Sequence, residues 1–193
     1  MNTLIFATNN QHKVDEIRNV LGSRFEIITL KESGIDIDIP EPHNTLEANA
    51  TEKSTTIYQM TGKNCFSEDT GLEVFGLNGE PGVKSARYAG EKQSFKANVE
   101  KLLQKMETVE NRKARFKTVI SLIVESEEIQ FEGICDGEII MKERGQNGFG
   151  YDPVFVPTGS KLTFAEMNTQ EKNTFSHRKK AMDKLILFLQ SVQ

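Results

Sequence analysis

The chain has 193 residues, of which 28 are acidic and 24 are basic, so that its formal net charge at pH 7 is −4. This length suits one domain, and a net negative charge is atypical of proteins that bind long nucleic acids through an excess of Lys and Arg. No apolar run approaches the roughly 18 residues of a membrane span, and the start Met1-Asn2-Thr3-Leu4 is unlike a secretory signal. We therefore expect neither a nucleic-acid polymer nor a membrane as a partner.

The two cysteines predict a reducing compartment. Cys65 and Cys135 lie far apart in the sequence and form neither a C-x-x-C pair nor a zinc-binding spacing. Two buried, reduced thiols are typical of a cytoplasmic protein, and we expect that location.

The first third of the chain predicts the beginning of an α/β fold. A short apolar run over 4–7 predicts a buried strand. The helical spacing over 13–21, with Gly22 as the C-terminal cap, predicts a helix, and a second strand follows over 25–30. The order strand–loop–helix–strand is typical of α/β proteins.

The remaining two thirds combine helices, strands and one irregular stretch. We predict helices over 45–60, capped by Thr45, over 95–106, and from about Ser176 to 189. We predict strands over 65–67, 116–124, 128–135 and 139–142, with a turn at Asp136-Gly137. The stretch 76–90 should be irregular because it is rich in glycine and also contains Pro81.

A polar loop follows the first strand and precedes the first helix. Its residues are Thr8, Asn9, Asn10, Gln11, His12 and Lys13. Backbone N–H groups and the helix dipole at such a position favour an anion, which predicts a phosphate site. The alternative is a turn that only caps the helix.

Adjacent carboxylates follow the predicted strand over 65–67. Glu68 and Asp69 precede Thr70-Gly71, and Glu41 and Glu47 lie earlier in the chain. Carboxylates at a strand end suit Mg²⁺, which prefers hard oxygen ligands. An ordinary strand that ends in acidic residues and a glycine turn is the alternative.

Two further segments predict a binding site for a planar ligand. The glycine-rich loop 145–150 carries Phe149 and continues to Tyr151, whose rings could stack on a base. Cations at the start of the last helix, His177 and Arg178, oppose the helix dipole, which is easier to explain if they face an anionic or polar ligand. The alternatives are a tight turn with buried aromatic rings and a solvated first turn.

In their order and spacing these segments resemble the inosine/xanthosine triphosphate pyrophosphatase family. The matching segments, besides the polar loop, are Thr45-Leu46-Glu47-Ala48-Asn49-Ala50, Glu68-Asp69-Thr70-Gly71-Leu72, Pro81-Gly82, Ser85-Ala86-Arg87-Tyr88, Phe149-Gly150-Tyr151-Asp152-Pro153, Glu171-Lys172 and Ser176-His177-Arg178. The resemblance implies an α/β fold in which an elongated mixed β-sheet with flanking helices forms one domain, 1–193, of two lobes around a central cleft. It also implies a homodimer that hydrolyses ITP, dITP and XTP to the monophosphate and pyrophosphate with Mg²⁺.

The resemblance implies a role for each matching residue. Asp69 would be the catalytic carboxylate and a metal ligand, with Glu41 or Glu68 as the second metal ligand. The residues that would bind the substrate are Thr8, Asn9, Asn10, Gln11, His12, Lys13, Lys53, Thr70, Phe149, Gly150, Tyr151, Asp152, Lys172, His177 and Arg178.

Three other functions stay open at this point. A pyrophosphatase for modified pyrimidine triphosphates would need a different base site. A nucleotide-binding module without activity would have little need of two carboxylates beside a polyphosphate. A nucleic-acid-binding protein is disfavoured by the net charge of −4.

Overall fold

The structure, a computed structural model, describes residues 3–21 and 25–191, so the predicted cap at Gly22 lies outside the described residues. The helices are α1 (Gln11–Leu21), α2 (Leu46–Thr61), α3 (Phe95–Lys105), α4 (Thr169–Phe175) and α5 (His177–Ser191). The strands are β1 (Thr3–Phe6), β2 (Glu26–Thr29), β3 (Cys65–Val74), β4 (Pro81–Gly82), β5 (Lys113–Val124), β6 (Glu127–Ile139) and β7 (Phe155–Pro157). No helix within these ranges is both long and apolar enough to cross a membrane.

The strands form a mixed sheet in the order β2-β1-β3-β5-β6-β7, and β4 pairs with β3. Strand β1 is parallel to β2 and to β3, whereas β7 is antiparallel to β6. The prediction of an α/β fold with a mixed sheet and helices is confirmed. The central cleft stays a prediction.

The chain divides into two compact units, each with its own apolar core. The first contains the described residues within 1–69, 118–133 and 178–193, and the second contains 70–117 and 134–177. In the first unit, residues of β1 and α1 pack against α5, and Phe6 stacks on Phe66 with ring centroids 4.5 Å apart. In the second unit, α3 packs with Phe116, Phe155 and Phe164.

Helix α2 shows how local sequence produces the elements that carry the site. The Thr45 side chain accepts a hydrogen bond from the Ala48 N–H, as predicted, and Gly62 ends the helix with a φ of 63°. One face of α2 buries Leu46, Ala50 and Ile57. The same face carries Lys53 into the interior of the first unit.

The thiols of both cysteines are buried, as predicted. The Cys65 thiol donates to the Ser54 carbonyl, and burial raises the pKa of Cys65 to about 12. A thiol with such a pKa is inert at neutral pH, which agrees with a structural residue.

Two strands are longer than predicted. Strand β3 continues from Cys65 to Val74, so Glu68-Asp69-Thr70-Gly71 is inside a strand and the predicted strand end at 67 is wrong. Strand β6 likewise runs through the predicted turn at Asp136-Gly137, and the predicted strand over 139–142 is absent. The reason at Gly137 is a close approach, since a Cβ there would lie 2.3 Å from the Val156 carbonyl oxygen of β7. The glycine is needed for strand pairing rather than for a turn.

Helix α4 was missed by the periodicity because it has only seven residues. Its signal is a capping box, in which the Asn168 side chain accepts from the Glu171 N–H and the Glu171 carboxylate accepts from the Asn168 N–H. This short helix matters because it carries Lys172. Helix α5 begins at His177, close to the predicted start.

Candidate active site

The polar loop at 8–13 follows β1 in the first unit. The Asn10 side chain accepts from the Lys13 N–H at 3.3 Å and so caps α1, while the Asn9 side chain donates to the Ile37 carbonyl at 2.8 Å. The Thr8 hydroxyl accepts from the Asn10 N–H, the Gln11 side chain donates to Asp15, and His12 is exposed. The loop therefore has the geometry of a helix-capping turn, and its location at the carboxyl end of a parallel strand also suits an anion.

Carboxylates of β3 and of the segment after Pro40 meet at one lysine. The Lys53 ammonium donates to Glu41 Oε1 at 2.6 Å and to Asp69 Oδ1 at 2.8 Å. It also donates to the Glu68 carbonyl at 2.9 Å. Lys53 and Asp69 are buried, whereas a quarter of the Glu41 side chain is exposed.

Burial and charge act in opposite directions on this cluster. Burial, together with the nearby Glu41 carboxylate, raises the pKa of Asp69 by more than the ammonium groups of Lys53 and Lys13 lower it, so the net shift is upward. Burial alone would lower the pKa of Lys53, but the attraction of Asp69 and Glu41 outweighs it and raises the pKa. The lysine therefore stays an ammonium and holds both carboxylates.

Glu68 has different partners from Asp69. Its carboxylate lies in a bidentate pair with Arg178, at 2.6 Å to Nε and 2.8 Å to Nη2, and 3.3 Å from the Lys13 ammonium. Arg178 also contacts Glu16 of α1. The Glu68 and Arg178 side chains are almost fully buried, and the pKa of Arg178 is raised because Glu68 and Glu16 outweigh the effect of burial.

Two predicted site residues have charged partners within the protein, and their roles toward a ligand or metal stay predictions. The Glu68 carboxylate faces a guanidinium instead of joining Glu41 and Asp69, which disfavours it as the second metal ligand. Arg178 is predicted to face an anionic or polar ligand, and its carboxylate partners within the protein are Glu16 and Glu68.

The donor set that remains for a metal is Glu41 and Asp69. Their oxygens converge on one cationic atom, Lys53 Nζ, and both are hard ligands. Mg²⁺ commonly uses one or two carboxylates together with waters and substrate phosphates. No cluster of three or more His, Cys, Asp or Glu side chains able to hold a metal occurs among the described residues. The two carboxylates therefore fit Mg²⁺, though not a metal that needs a full set of protein ligands.

The second unit contains a second polar cluster, built on loop 145–152. The Asp152 carboxylate accepts from the Phe149 N–H at 2.9 Å and from the Lys172 ammonium at 2.7 Å. That ammonium lies 5.5 Å from the centre of the Phe149 ring. Gly148 permits this arrangement, since a Cβ there would lie 2.0 Å from Asp152 Oδ2. Phe149 is half-buried, whereas Asp152 and Lys172 are buried.

The other predicted residues of this unit have mixed surroundings. The buried Tyr151 hydroxyl donates to the Ser85 carbonyl at 2.9 Å, which favours a structural role for its ring. His177 is also buried and stacks on Phe116, with centroids 4.6 Å apart and planes 10° apart. Gly150 has a φ of 63°, a conformation that glycine adopts without strain, and Thr70 follows Asp69 in β3.

Sequence reasoning missed Glu16 and Phe95. Glu16 lies one helical turn after Lys13 in α1, a spacing that places both on one face of the helix. Its partner Arg178 is 162 positions later in the sequence, so no local pattern identifies the pair. Phe95 contacts Phe149 from α3, with ring centroids 5.8 Å apart.

Known proteins with similar sequences and structures share one family. The family model described as the Ham1 family matches residues 4–188. Proteins named dITP/XTP pyrophosphatase from Porphyromonas gingivalis and Flavobacterium johnsoniae are 50% and 48% identical to this chain, and the alignments cover 98% and 95% of both chains. The solved structure of the Staphylococcus aureus Ham1 protein superposes with a TM-score of 0.90, at 39% identity and with all of both chains covered. With this similarity over nearly its whole length, the chain belongs to the Ham1 family.

Proposed function

We propose that this chain hydrolyses dITP, XTP and ITP to the nucleoside monophosphate and pyrophosphate in a Mg²⁺-dependent reaction. The observation that carries the proposal is the convergence of Glu41 and Asp69 on Lys53 in the first unit. The name of the similar proteins, dITP/XTP pyrophosphatase, supports the same reaction class. Removal of these nucleotides would cleanse the nucleotide pool.

The first unit supplies charge for a triphosphate although the chain is net acidic. Lys13 and Lys53 both reach the Glu68 carbonyl, at 3.4 and 2.9 Å, so their ammonium groups lie near each other at one edge of β3. Both ammonium groups pair with carboxylates, Lys13 with Glu68 and Lys53 with Glu41 and Asp69, so the charge of a polyphosphate would be offset by these lysines together with Mg²⁺. Mg²⁺ held by Glu41 and Asp69 would polarise a phosphoryl oxygen and lower the pKa of a bound water.

Asp69 is the proton acceptor in this proposal. The oxygen of the attacking water bonds to the α-phosphorus, a proton of that water passes to the Asp69 carboxylate, and the bond from the α-phosphorus to the oxygen that bridges it to the β-phosphorus breaks. Pyrophosphate is the leaving group. Asp69 suits this task because its position within β3 is fixed by pairing on the sheet and by the contact with Lys53.

Base selection is assigned to the second unit. The Phe149 ring offers a face for stacking, and Lys172 and backbone N–H groups of loop 145–150 offer hydrogen-bond donors. Hypoxanthine and xanthine carry a 6-oxo group that accepts hydrogen bonds. Adenine carries a 6-amino group instead, so the donors would lose their partner at a substantial free-energy cost.

Steady-state kinetics test the proposal directly. We expect kcat/KM for dITP, XTP and ITP to exceed that for ATP by at least about a hundredfold, with monophosphate and pyrophosphate as products. EDTA should abolish turnover and added Mg²⁺ should restore it. Orthophosphate as the direct product, a preference for modified pyrimidine triphosphates, or binding without turnover would each contradict the proposal.

The proposal includes a homodimer, which rests on the family resemblance. Sedimentation equilibrium should give twice the chain mass of 21.8 kDa. A mass of 21.8 kDa at micromolar concentration would contradict this part alone and would leave the proposed reaction standing.

A further inference from the structure

The Phe149 ring is contacted by an aromatic residue from another element of the second unit. Phe95, the first residue of α3, lies with its ring centroid 5.8 Å from that of Phe149 and with the ring planes 46° apart. This separation lies within the range of about 4.5–7 Å over which aromatic rings interact favourably, and the tilt avoids the unfavourable face-to-face sandwich. The position of Phe95 is itself fixed, because the Ser94 side chain caps α3 by accepting from the Ala97 N–H.

The loop that carries Phe149 needs such support. Gly145, Gly148 and Gly150 all have positive φ values, and glycine adopts many backbone conformations with little difference in free energy. Asp152 holds the Phe149 backbone through its N–H, and the Lys172 ammonium lies over the ring. Neither of these two contacts limits the movement of the Phe149 ring toward α3. The contact with Phe95 does.

The exposure of Phe95 argues against a role in core packing. Its side chain is 37% exposed, so truncation leaves a surface notch and no enclosed cavity. Surface truncations of this kind usually change the free energy of unfolding little. We therefore expect loss of the contact between Phe95 and Phe149 to change ligand binding more than the free energy of unfolding.

We propose that Phe95 is a positioning residue that holds the Phe149 ring in the orientation in which it stacks on the base of the nucleoside triphosphate. This inference rests on the proposed function, because it requires a base at Phe149. It makes α3 part of the base-recognition apparatus, although no residue of α3 belongs to the segments that indicated a nucleotide site.

The first experiment separates base binding from phosphate binding. Phe95→Ala should raise KM for dITP about two- to tenfold, the range expected for an aromatic pair, and should change kcat by less than about twofold. Phe95→Leu, which also lacks a ring, should show the same rise in KM. Phe95→Tyr keeps an aromatic ring and should have the wild-type KM. The inhibition constant of inorganic tripolyphosphate should stay unchanged, because that compound has no base.

The control is Phe75→Ala in the same unit. Phe75 is 44% exposed and its ring lies 5.9 Å from the Arg115 guanidinium, so the control removes a ring of similar exposure. Its KM for dITP should equal that of the wild type. An equal rise in KM for both variants would overturn the inference, because it would indicate a general effect of losing an exposed ring.

A double-mutant cycle tests whether Phe95 acts through Phe149. If it does, Phe95→Ala should add nothing to the rise in KM that Phe149→Ala causes. Fully additive effects, or a wild-type KM in both Phe95→Ala and Phe95→Leu, would overturn the inference while wild-type turnover of dITP leaves the proposed function intact. A wild-type protein that hydrolyses no purine triphosphate would instead overturn the proposed function.

Discussion

Substitution of the single residue Asp69 tests the proposed chemistry. Asp69→Asn keeps the size of the side chain and removes the charge, so the water loses its proton acceptor and the metal loses a ligand. We expect kcat for dITP to fall at least about a hundredfold, since general-base catalysis alone is worth about 10²–10⁴. The fold should persist because Lys53 keeps Glu41 and the Glu68 carbonyl as partners. Circular dichroism and steady-state kinetics check the two expectations.

The matched control for Asp69 is an acid outside the site. Asp183 pairs with Lys179 in α5, and about half of its side chain is exposed. Asp183→Asn should retain wild-type kcat. A folded Asp69→Asn protein with near-normal kcat would exclude Asp69 as the base.

Arg178 illustrates how burial changes the consequence of losing a charge. Truncation of Arg178 would leave the fully buried Glu68 carboxylate without its bidentate partner. Breaking a buried ion pair in this way typically costs about 3–5 kcal/mol. We therefore expect Arg178→Ala to lower the free energy of unfolding in urea by about that amount.

The pair of Arg18 and Glu32 is the corresponding surface comparison. Both side chains are nearly half exposed, and the nitrogen–oxygen distance is 2.7 Å. Exposed pairs contribute about 0–1 kcal/mol, so Arg18→Ala should destabilise the protein far less than Arg178→Ala. If Arg18→Ala and Arg178→Ala lowered the free energy of unfolding in urea equally, the Arg178 network would contribute no more to stability than a surface contact.

At the scale of elements, the β6–β7 pairing depends on a missing side chain. A Cβ at Gly137 would lie 2.3 Å from the Val156 carbonyl oxygen and 2.6 Å from the Phe155 ring. Because both obstacles belong to β7, Gly137→Ala must separate the strands or shift Phe155 out of the core. Overpacking of this kind typically costs about 1–3 kcal/mol, and thermal unfolding should show a lower Tm.

Gly62→Ala, at the C-terminal cap of α2, provides a contrast. Its φ of 63° disfavours alanine, but no atom lies within 4 Å of the added Cβ. We therefore expect Gly62→Ala to lower the free energy of unfolding by about 1–2 kcal/mol, which is the cost of the left-handed backbone conformation alone. A Gly137→Ala protein as stable as the wild type would mean that β7 accommodates the methyl group by a small shift.

At the scale of the whole molecule, sequence reasoning succeeded where local signals decide the structure. Thr45 and the spacing behind it located α2, because capping and periodicity act over a few residues. It failed at Glu68-Asp69-Thr70-Gly71, whose charged and small residues are typical of a turn. Pairing within the sheet and a partner 110 positions away, Arg178, keep this segment in a strand, and neither is visible in the local sequence.

The same distinction applies to the candidate site. The segments that carry Asp69, Lys53 and Asp152 could be singled out from the order of motifs. The contact partner of each side chain could not be predicted from the sequence. The contacts of Glu68 with Arg178 and of Phe149 with Phe95 join residues that are far apart in the chain. Tertiary contacts therefore distinguish the carboxylates that converge on Lys53, Glu41 and Asp69, from the one that pairs with Arg178, Glu68.

The distribution of charge over the molecule disfavours the binding of nucleic acids. The net charge is −4, and many basic side chains outside the candidate site already pair with carboxylates, as Lys105 does with Glu80 and Arg18 with Glu32. Non-specific binding of nucleic acids needs several unneutralised cations along one surface and has Kd values of about 10⁻⁴–10⁻⁶ M. We expect the fluorescence anisotropy of a labelled 20-nucleotide DNA or RNA to stay constant up to about 10 μM protein at low salt. The same protein in the same buffer should hydrolyse dITP, because a single triphosphate needs only the few cations of one site. Binding whose association constant falls with salt, with a linear plot of log K against the logarithm of salt concentration, would instead indicate a cationic surface for nucleic acids.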